Sequence, residues 1–184
     1  AQIVALTALP LVALYPLMKR ITWWPQAWLG MVFSWGALVG GAAASVTPGV
    51  PNAVILVYFG CIAWTIGYDT IYALQDREDD ALVGVRSTAR LFGDKWRVWT
   101  GGFYFAALAL WISAALVAGE GLLASAAIML IGAAFVWPML RSVDDARLET
   151  ALAAFKRNAG IGLLVALAFA LEPAWRTVRL LLGV

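Results

Sequence analysis

The chain has 184 residues, 63% of them hydrophobic and only 13% charged, with a mean hydropathy of +0.84 and a formal net charge of +2. That balance excludes an ordinary soluble domain and puts the chain among integral membrane proteins. It has no histidine and one cysteine, Cys61, inside an apolar stretch, which excludes a disulfide framework, a His/Cys zinc site and histidine acid–base catalysis and leaves oxygen ligands for any metal.

Six apolar runs are long enough, at about twenty residues each, to cross a hydrocarbon core of about 30 Å. They lie near residues 1–18, 26–46, 51–73, 96–118, 121–140 and 159–182. All six are expected to be helices, because a lipid-exposed backbone must satisfy its own hydrogen bonds and none shows the alternation of a membrane strand. The expected fold class is therefore an all-α polytopic transmembrane bundle, a single domain over 1–184 whose partner is the lipid bilayer and not a nucleic acid. The first run opens at Ala1 with no basic n-region and no cleavage site, so no signal peptide is visible and the chain reads as a fragment.

The first run ends in Tyr15-Pro-Leu-Met-Lys19-Arg20. Tyr15 and Lys19, four residues apart, share a helix face, with Pro16 disturbing the geometry between them. A Lys-Arg pair here is either a topology determinant or an anion-binding pair, Lys as a point charge and Arg as a planar fork. In the second run Gly36, Gly40 and Ala44 recur every fourth residue and predict a face of close helix approach. The connection that follows, 45–52, carries no basic residue.

The third run holds the densest chemistry. Cys61 reads as packing. Asp69 sits inside the apolar stretch, where an ionised aspartate costs about 2.5 to 3.5 kcal/mol on insertion scales. Asp76, Glu78, Asp79 and Asp80 follow it. Spaced i, i+7 and i+11, Asp69, Asp76 and Asp80 project from one face if a helix runs through them, with Tyr72 between the first two. Unit charges about 4 Å apart repel by roughly 4 kcal/mol at an effective dielectric near 20, and Mg2+ bridging carboxylates to phosphates removes that repulsion. The alternative is a solvated loop that ends a membrane helix. Arg77 and Glu78 point elsewhere, Arg77 as a local counter-charge, and Asp79 is the ambiguous member.

Further along, Gly84-Val85-Arg86-Ser87-Thr88-Ala89-Arg90-Leu91-Phe92-Gly93 and Phe155-Lys156-Arg157-Asn158 offer basic groups that either cap the same site or act locally. Locally, Ser87 would N-cap a short interfacial helix and Lys156-Arg157 would serve as orientation charges. Eleven of the thirteen basic residues fall in the connections after the first, third and fifth runs, and the connections 45–52 and 118–121 carry none. The positive-inside rule then puts the basic connections and the acidic segment on the cytoplasmic side, or the matrix side of a mitochondrion. Arg176 and Arg179 break the pattern at the far end, where Glu172 stands four residues before Arg176 and can pair with it. Trp23, Trp24, Trp28, Trp96, Trp99, Trp137 and Trp175 lie near run ends, as an interfacial belt does.

The string Tyr68 to Asp80, YDTIYALQDREDD, with Gly84-Val85-Arg86-Ser87-Thr88-Ala89 and Leu91-Phe92-Gly93 after it, resembles the second aspartate-rich region of 4-hydroxybenzoate polyprenyltransferases of the UbiA type. Tyr15-Pro-Leu-Met-Lys19-Arg20 resembles the family's Y-x-x-x-K element, and Phe155-Lys156-Arg157-Asn158 its segment before the last helix. The resemblance implies a nine-helix fold of which this chain is similar to helices four to nine. The family's first motif, N-D-x-x-D-x-x-x-D, is then expected upstream of Ala1, and residues 1–184 alone are expected to be inactive. The resemblance also implies that Asp76, Asp80 and Asp69 form the catalytic and Mg2+-binding set, Asp76 and Asp80 as the matched motif ligands and Asp69 lining the same cavity, with Asp79 as a further candidate ligand. Lys19 would bind a polyprenyl diphosphate, Tyr15 would position it, Arg20 would hold the substrate carboxylate or the diphosphate, and Tyr72 would join the substrate-binding set. The implied reaction is Mg2+-dependent prenyl transfer to the ring carbon ortho to the hydroxyl of 4-hydroxybenzoate, in ubiquinone biosynthesis, in a bacterial or mitochondrial inner membrane. The alternatives are another superfamily member acting on homogentisate, dihydroxynaphthoate, haem or chlorophyllide; a CDP-alcohol phosphotransferase, whose D-G-x-x-A-R pattern is not found; and a cation or proton transporter. A transporter predicts polar residues at mid-depth in several helices, and apart from Asp69 these cores are apolar.

Overall fold

The computed structural model describes residues 1–119, 121–144 and 147–182 of the chain. Glu120 of the second non-basic connection lies outside the described residues. Six helical spans long and apolar enough to cross a membrane run Gln2–Ile21, Pro25–Ala44, Asn52–Ala73, Thr88–Val117, Gly121–Ser142 and Leu148–Leu182. The described residues contain no strand. The all-α bundle expected from hydropathy is what forms.

Three spans depart from single straight rods, each for a local reason, and the last starts earlier than expected. The first is α1 (Gln2–Leu6) followed by α2 (Leu9–Ile21). Pro10 cannot donate to Leu6, and Thr7 and Ala8 turn the chain, the Thr7 hydroxyl donating to the Val4 carbonyl at 2.8 Å. Pro16 lies inside α2 without ending it. After α3 (Pro25–Ala44) and α4 (Asn52–Ala73) come two short helices, α5 (Arg77–Leu82) and α6 (Thr88–Phe92), and a tight turn at Gly93–Lys95 leads into α7 (Trp96–Val117). The fifth span is α8 (Gly121–Ile131), a π-helical turn over Gly132–Val136, and α9 (Trp137–Ser142). Pro138 near the start of α9 has no N–H for a regular turn, a common setting for a local widening of the helix. The last span, α10 (Leu148–Leu182), begins well before the expected residue 159. Its first turns are amphipathic, with Ala151, Ala154 and Asn158 buried while Lys156 and Arg157 stay in solvent, so the charges there mark an outer face and not a loop.

The long helix α4 is the axis of the bundle, packed on α3 and α7. The helices α7, α8 and α10 close round to α4 again, and α2 lies outside against α3. Small residues set the closest approaches, though not those the spacing singled out. Gly36, Gly40 and Ala44 are exposed. It is Gly30 that meets the Ile62 backbone and Gly60 that meets Trp111, where added Cβ atoms would stand 3.1 and 2.5 Å away. One polar contact crosses the centre: the Tyr104 hydroxyl donates to Asn158 Oδ1 at 2.9 Å, both residues buried, and joins α7 to α10. Lipid-length rows of exposed apolar side chains remain on α2 and α10, such as Leu9, Val12, Leu163 and Leu167. Most of the tryptophan belt is half-exposed, but Trp96 is 1% exposed and belongs to the core.

Candidate functional site

α4 carries Asp69 one turn before its end and stops at Ala73. The N–H groups of Leu74, Gln75 and Arg77 then close tighter turns onto the carbonyls of Ile71, Tyr72 and Leu74 at 3.3, 3.2 and 3.5 Å. α5 starts with Asp76 as its N-cap. The one-face alignment of Asp69, Asp76 and Asp80 on a continuous helix is therefore wrong, and the charges explain why. Glu78, Asp79 and Asp80 are favourable in the first turn of a new helix, where the N-terminal dipole faces them, and unfavourable at the C-terminal end of a long one. Asp76 makes no capping bond with its side chain, so its exposed carboxylate stays available.

Tertiary contacts nevertheless gather several of the expected residues at one end of the bundle. The Lys19 ammonium, at the last turn of α2, interacts electrostatically with both Asp69 and Asp80, and Tyr15 one turn earlier interacts with Asp69. Burial pushes the Asp80 carboxyl above the usual carboxylate range; Lys19 and Arg90 pull it back, and Asp76 and Asp79 add to the rise. Asp69, Asp76, Asp79 and Asp80 form no ion pair; the pairs among the described residues are Asp144–Arg147 and Glu172–Arg176, the second as the spacing suggested. Arg77 neutralises none of them, and its Nη1 is buried without a hydrogen-bond partner. Arg20 is exposed and makes no side-chain bond among the described residues. Tyr72 turns away toward α10, its ring 4.7 Å from that of Phe155.

No group of three acidic, cysteine or histidine side chains forms a ready metal cage among the described residues. The donors do suit Mg2+, a hard cation commonly held by one or two carboxylates together with substrate phosphates and not by an all-protein cage. Asp76 and Asp80, unpaired and with a mutually unfavourable charge, are such a pair of oxygen donors.

On the α10 side of α4 lies a cavity of about 480 Å³ lined by Trp64, Tyr68, Phe155, Lys156, Asn158 and Gly162. Its walls are aromatic, with the Phe155 ring 5.7 Å from Tyr68, and Asn158 supplies an amide at its wall. The sequence offers Phe155, Lys156 and Asn158 as part of a segment that could cap the site, whereas it does not single out Trp64, Tyr68 and Gly162. The available signal was Trp64, Tyr68 and Tyr72 at i, i+4 and i+8, one aromatic stripe on α4.

In the segment 84–93 the local bond expected of Ser87 forms. Ser87 caps α6, its hydroxyl accepting from the Arg90 N–H at 3.4 Å. Arg86 and Arg90 direct Nη1 to backbone carbonyls, Arg86 to Ile21 at 2.6 Å and Arg90 to Asp80 at 3.2 Å and to Val85. Contacts also tie the basic connections together, Arg86 N–H to Lys19 O at 3.0 Å and Arg97 Nη2 to Val143 O at 2.6 Å, so all three meet at the end that holds the carboxylates.

Comparison with known proteins adds the following. Residues 1–164 match the model of the UbiA prenyltransferase family. The chain is 40% identical over 169 residues to the mitochondrial 4-hydroxybenzoate polyprenyltransferase of Rattus norvegicus, covering 92% of this chain and 45% of the relative. It is 38% identical over 169 residues to the Homo sapiens protein of the same name, with 92% and 45% covered. It is 45% identical over 118 residues to 4-hydroxybenzoate geranyltransferase 1 of Lithospermum erythrorhizon, with 64% and 38% covered. The chain thus spans a little under half the length of the curated relatives it matches. No solved structure matches it.

Proposed function

Because the chain belongs to the UbiA prenyltransferase family, we propose that it forms part of an enzyme that transfers a prenyl group from a polyprenyl diphosphate to the ring carbon ortho to the hydroxyl of 4-hydroxybenzoate, a step of ubiquinone biosynthesis. The observation that carries this reading is the gathering of Lys19, Asp69 and Asp80 within electrostatic range of one another at one end of an apolar bundle, where the segment 85–90 bonds the backbone of both Lys19 and Asp80. That is the charge pattern a metal-bound diphosphate requires. The acceptor is supported by relatives whose names differ in the prenyl donor and agree on 4-hydroxybenzoate.

In this reading Asp76 and Asp80 hold Mg2+, with Asp79 beside them, and Lys19 binds the diphosphate with Tyr15 positioning it. Arg20, exposed at the same end, meets the diphosphate or the substrate carboxylate from solution. Bound there, Mg2+ supplies charge neutralisation to the departing diphosphate. Asp69 orients Lys19. The aromatic wall of Trp64, Tyr68, Tyr72 and Phe155 keeps water from an allylic cation and presents ring faces that stabilise it. The allylic C–O bond breaks with its electron pair leaving on the diphosphate, the acceptor ring carbon attacks the cation, and the ring proton passes to the released diphosphate or to water, which restores aromaticity. The positive-inside pattern supports a site on the cytoplasmic or matrix side.

The test uses the full-length protein in liposomes with Mg2+, labelled 4-hydroxybenzoate and polyprenyl diphosphates of several lengths. Prenylated 4-hydroxybenzoate abolished by EDTA is expected. Absence of product at every length, or activity indifferent to EDTA, overturns the assignment.

A further inference from the structure

The segment Val85–Arg90 grips the backbone of both poles of the candidate site. At one pole the Arg86 N–H donates to Lys19 O at 3.0 Å and the Arg86 Nη1 to Ile21 O at 2.6 Å. At the other, the Val85 N–H donates to Asp80 O at 2.9 Å, and Arg90 Nη1 donates to Asp80 O at 3.2 Å and to Val85 O. Both arginines lie over the Trp23 ring, their guanidinium carbons 5.7 and 5.3 Å from its centroid. Behind this surface the segment is pinned to the bundle. The Thr88 N–H donates to Gln26 Oε1 at 3.0 Å, and the Thr88 and Thr70 hydroxyls meet at 2.6 Å. Gln26, Thr70 and Thr88 are at most 2% exposed, so these bonds have no water competing for them.

We propose that Val85–Arg90 is a positioning strap, in which Arg86 and Arg90 hold the α5 turn that carries Asp76 and Asp80 in place against the end of α2 and thereby set the affinity of the acidic turn for a divalent cation. The inference rests on the reading that Asp76 and Asp80 hold the metal. α5 has six residues and no side-chain cap, too short to hold its own orientation, and the bonds to Asp80 O tie it to α6 and to the loop before α6. Arg90 is within electrostatic reach of the Asp80 carboxylate, so as a bare charge it opposes cation binding. Its service to the metal is geometric.

Charge and geometry predict opposite signs, which makes the strap testable without turnover. Mn2+ binding to the full-length protein in nanodiscs, followed by electron paramagnetic resonance, is the readout. If Arg90 acts only as a nearby charge, Arg90→Gln tightens Mn2+ binding by up to about fivefold. As a positioning residue, its loss weakens binding by about tenfold, the usual effect of removing a group that orients a metal ligand. Arg86→Gln, which cuts the bond to Ile21 O and the contact with Trp23, weakens it in the same direction and decides the matter if Arg90→Gln fails to fold. Mn2+ affinity equal to or tighter than wild type in the folded variant overturns the strap. A wild-type protein that binds no Mn2+ overturns the metal reading beneath it.

Discussion

Replacing Tyr104 by Phe deletes one oxygen from the centre of the bundle and leaves everything else in place. The ring is fully buried, stacked edge-on to Trp64 at 4.7 Å, and pressed against Gly67, where an added Cβ would lie 3.0 Å from its Cε1. Phenylalanine therefore keeps the packing. What goes is the 2.9 Å bond to Asn158 Oδ1, and Asn158 is 4% exposed, so no water replaces the donor. Interhelical bonds of this kind are worth about 0.6 to 1.7 kcal/mol in membrane proteins, and a buried acceptor left unpaired costs about 1 to 3 kcal/mol. The two figures describe overlapping parts of one loss, so we expect Tyr104→Phe to destabilise by about 1.5 kcal/mol. Asn158→Ala should cost more, because its amide also donates to Ala154 O at 2.9 Å and fills space beside Met139. Reversible unfolding in mixed micelles measures both variants, and the double variant gives their coupling, expected near 1 kcal/mol for partners in direct contact. A coupling near zero, or an unchanged stability of Tyr104→Phe, would refute the argument that this bond joins α7 to α10.

Asp76→Ala and Asp80→Ala should each lower prenyl transfer by about tenfold or more while the protein still folds, as judged by gel filtration and circular dichroism; near-normal rates would remove both residues from the metal site. The acid limb of Mn2+ binding should lie above the ordinary carboxylate value, because burial raises Asp80 and its proton competes with the metal as pH falls. Lys19→Met should move that limb further up, since Lys19 is the larger of the two charges, with Arg90, that pull Asp80 down, and an unmoved limb counts against their proximity. The same shift has a sign for stability without metal: Asp80 favours folding below its unfolded value, and that contribution is lost as pH rises through the raised folded one. Gly60→Ala should destabilise by about 1 to 3 kcal/mol, since its Cβ would meet the buried Trp111 indole at 2.5 Å, whereas Gly36→Ala, with nothing within 4 Å, should be neutral or stabilising.

Hydropathy and charge order were enough to place six spans, the acidic turn and the three basic connections, because these properties are one-dimensional. The thickness of the hydrocarbon sets the length of a run, the backbone must bond within it, and charges collect where it ends. The family resemblance lies in the same contiguous strings, Tyr15 to Arg20 and Tyr68 to Asp80. What sequence alone left undecided was which face of each helix is buried. Lipid tails and neighbouring helices are equally apolar, so the Gly36, Gly40, Ala44 stripe and the Gly30, Gly60 approaches looked alike until the helices were packed. The aromatic cavity between α4 and α10, and the bond that makes Arg86, read in the sequence as a basic group of open role, a donor to the Ile21 carbonyl, involve partners far apart in the chain. They follow from three-dimensional neighbours competing for the same polar groups, and no local spacing encodes that competition.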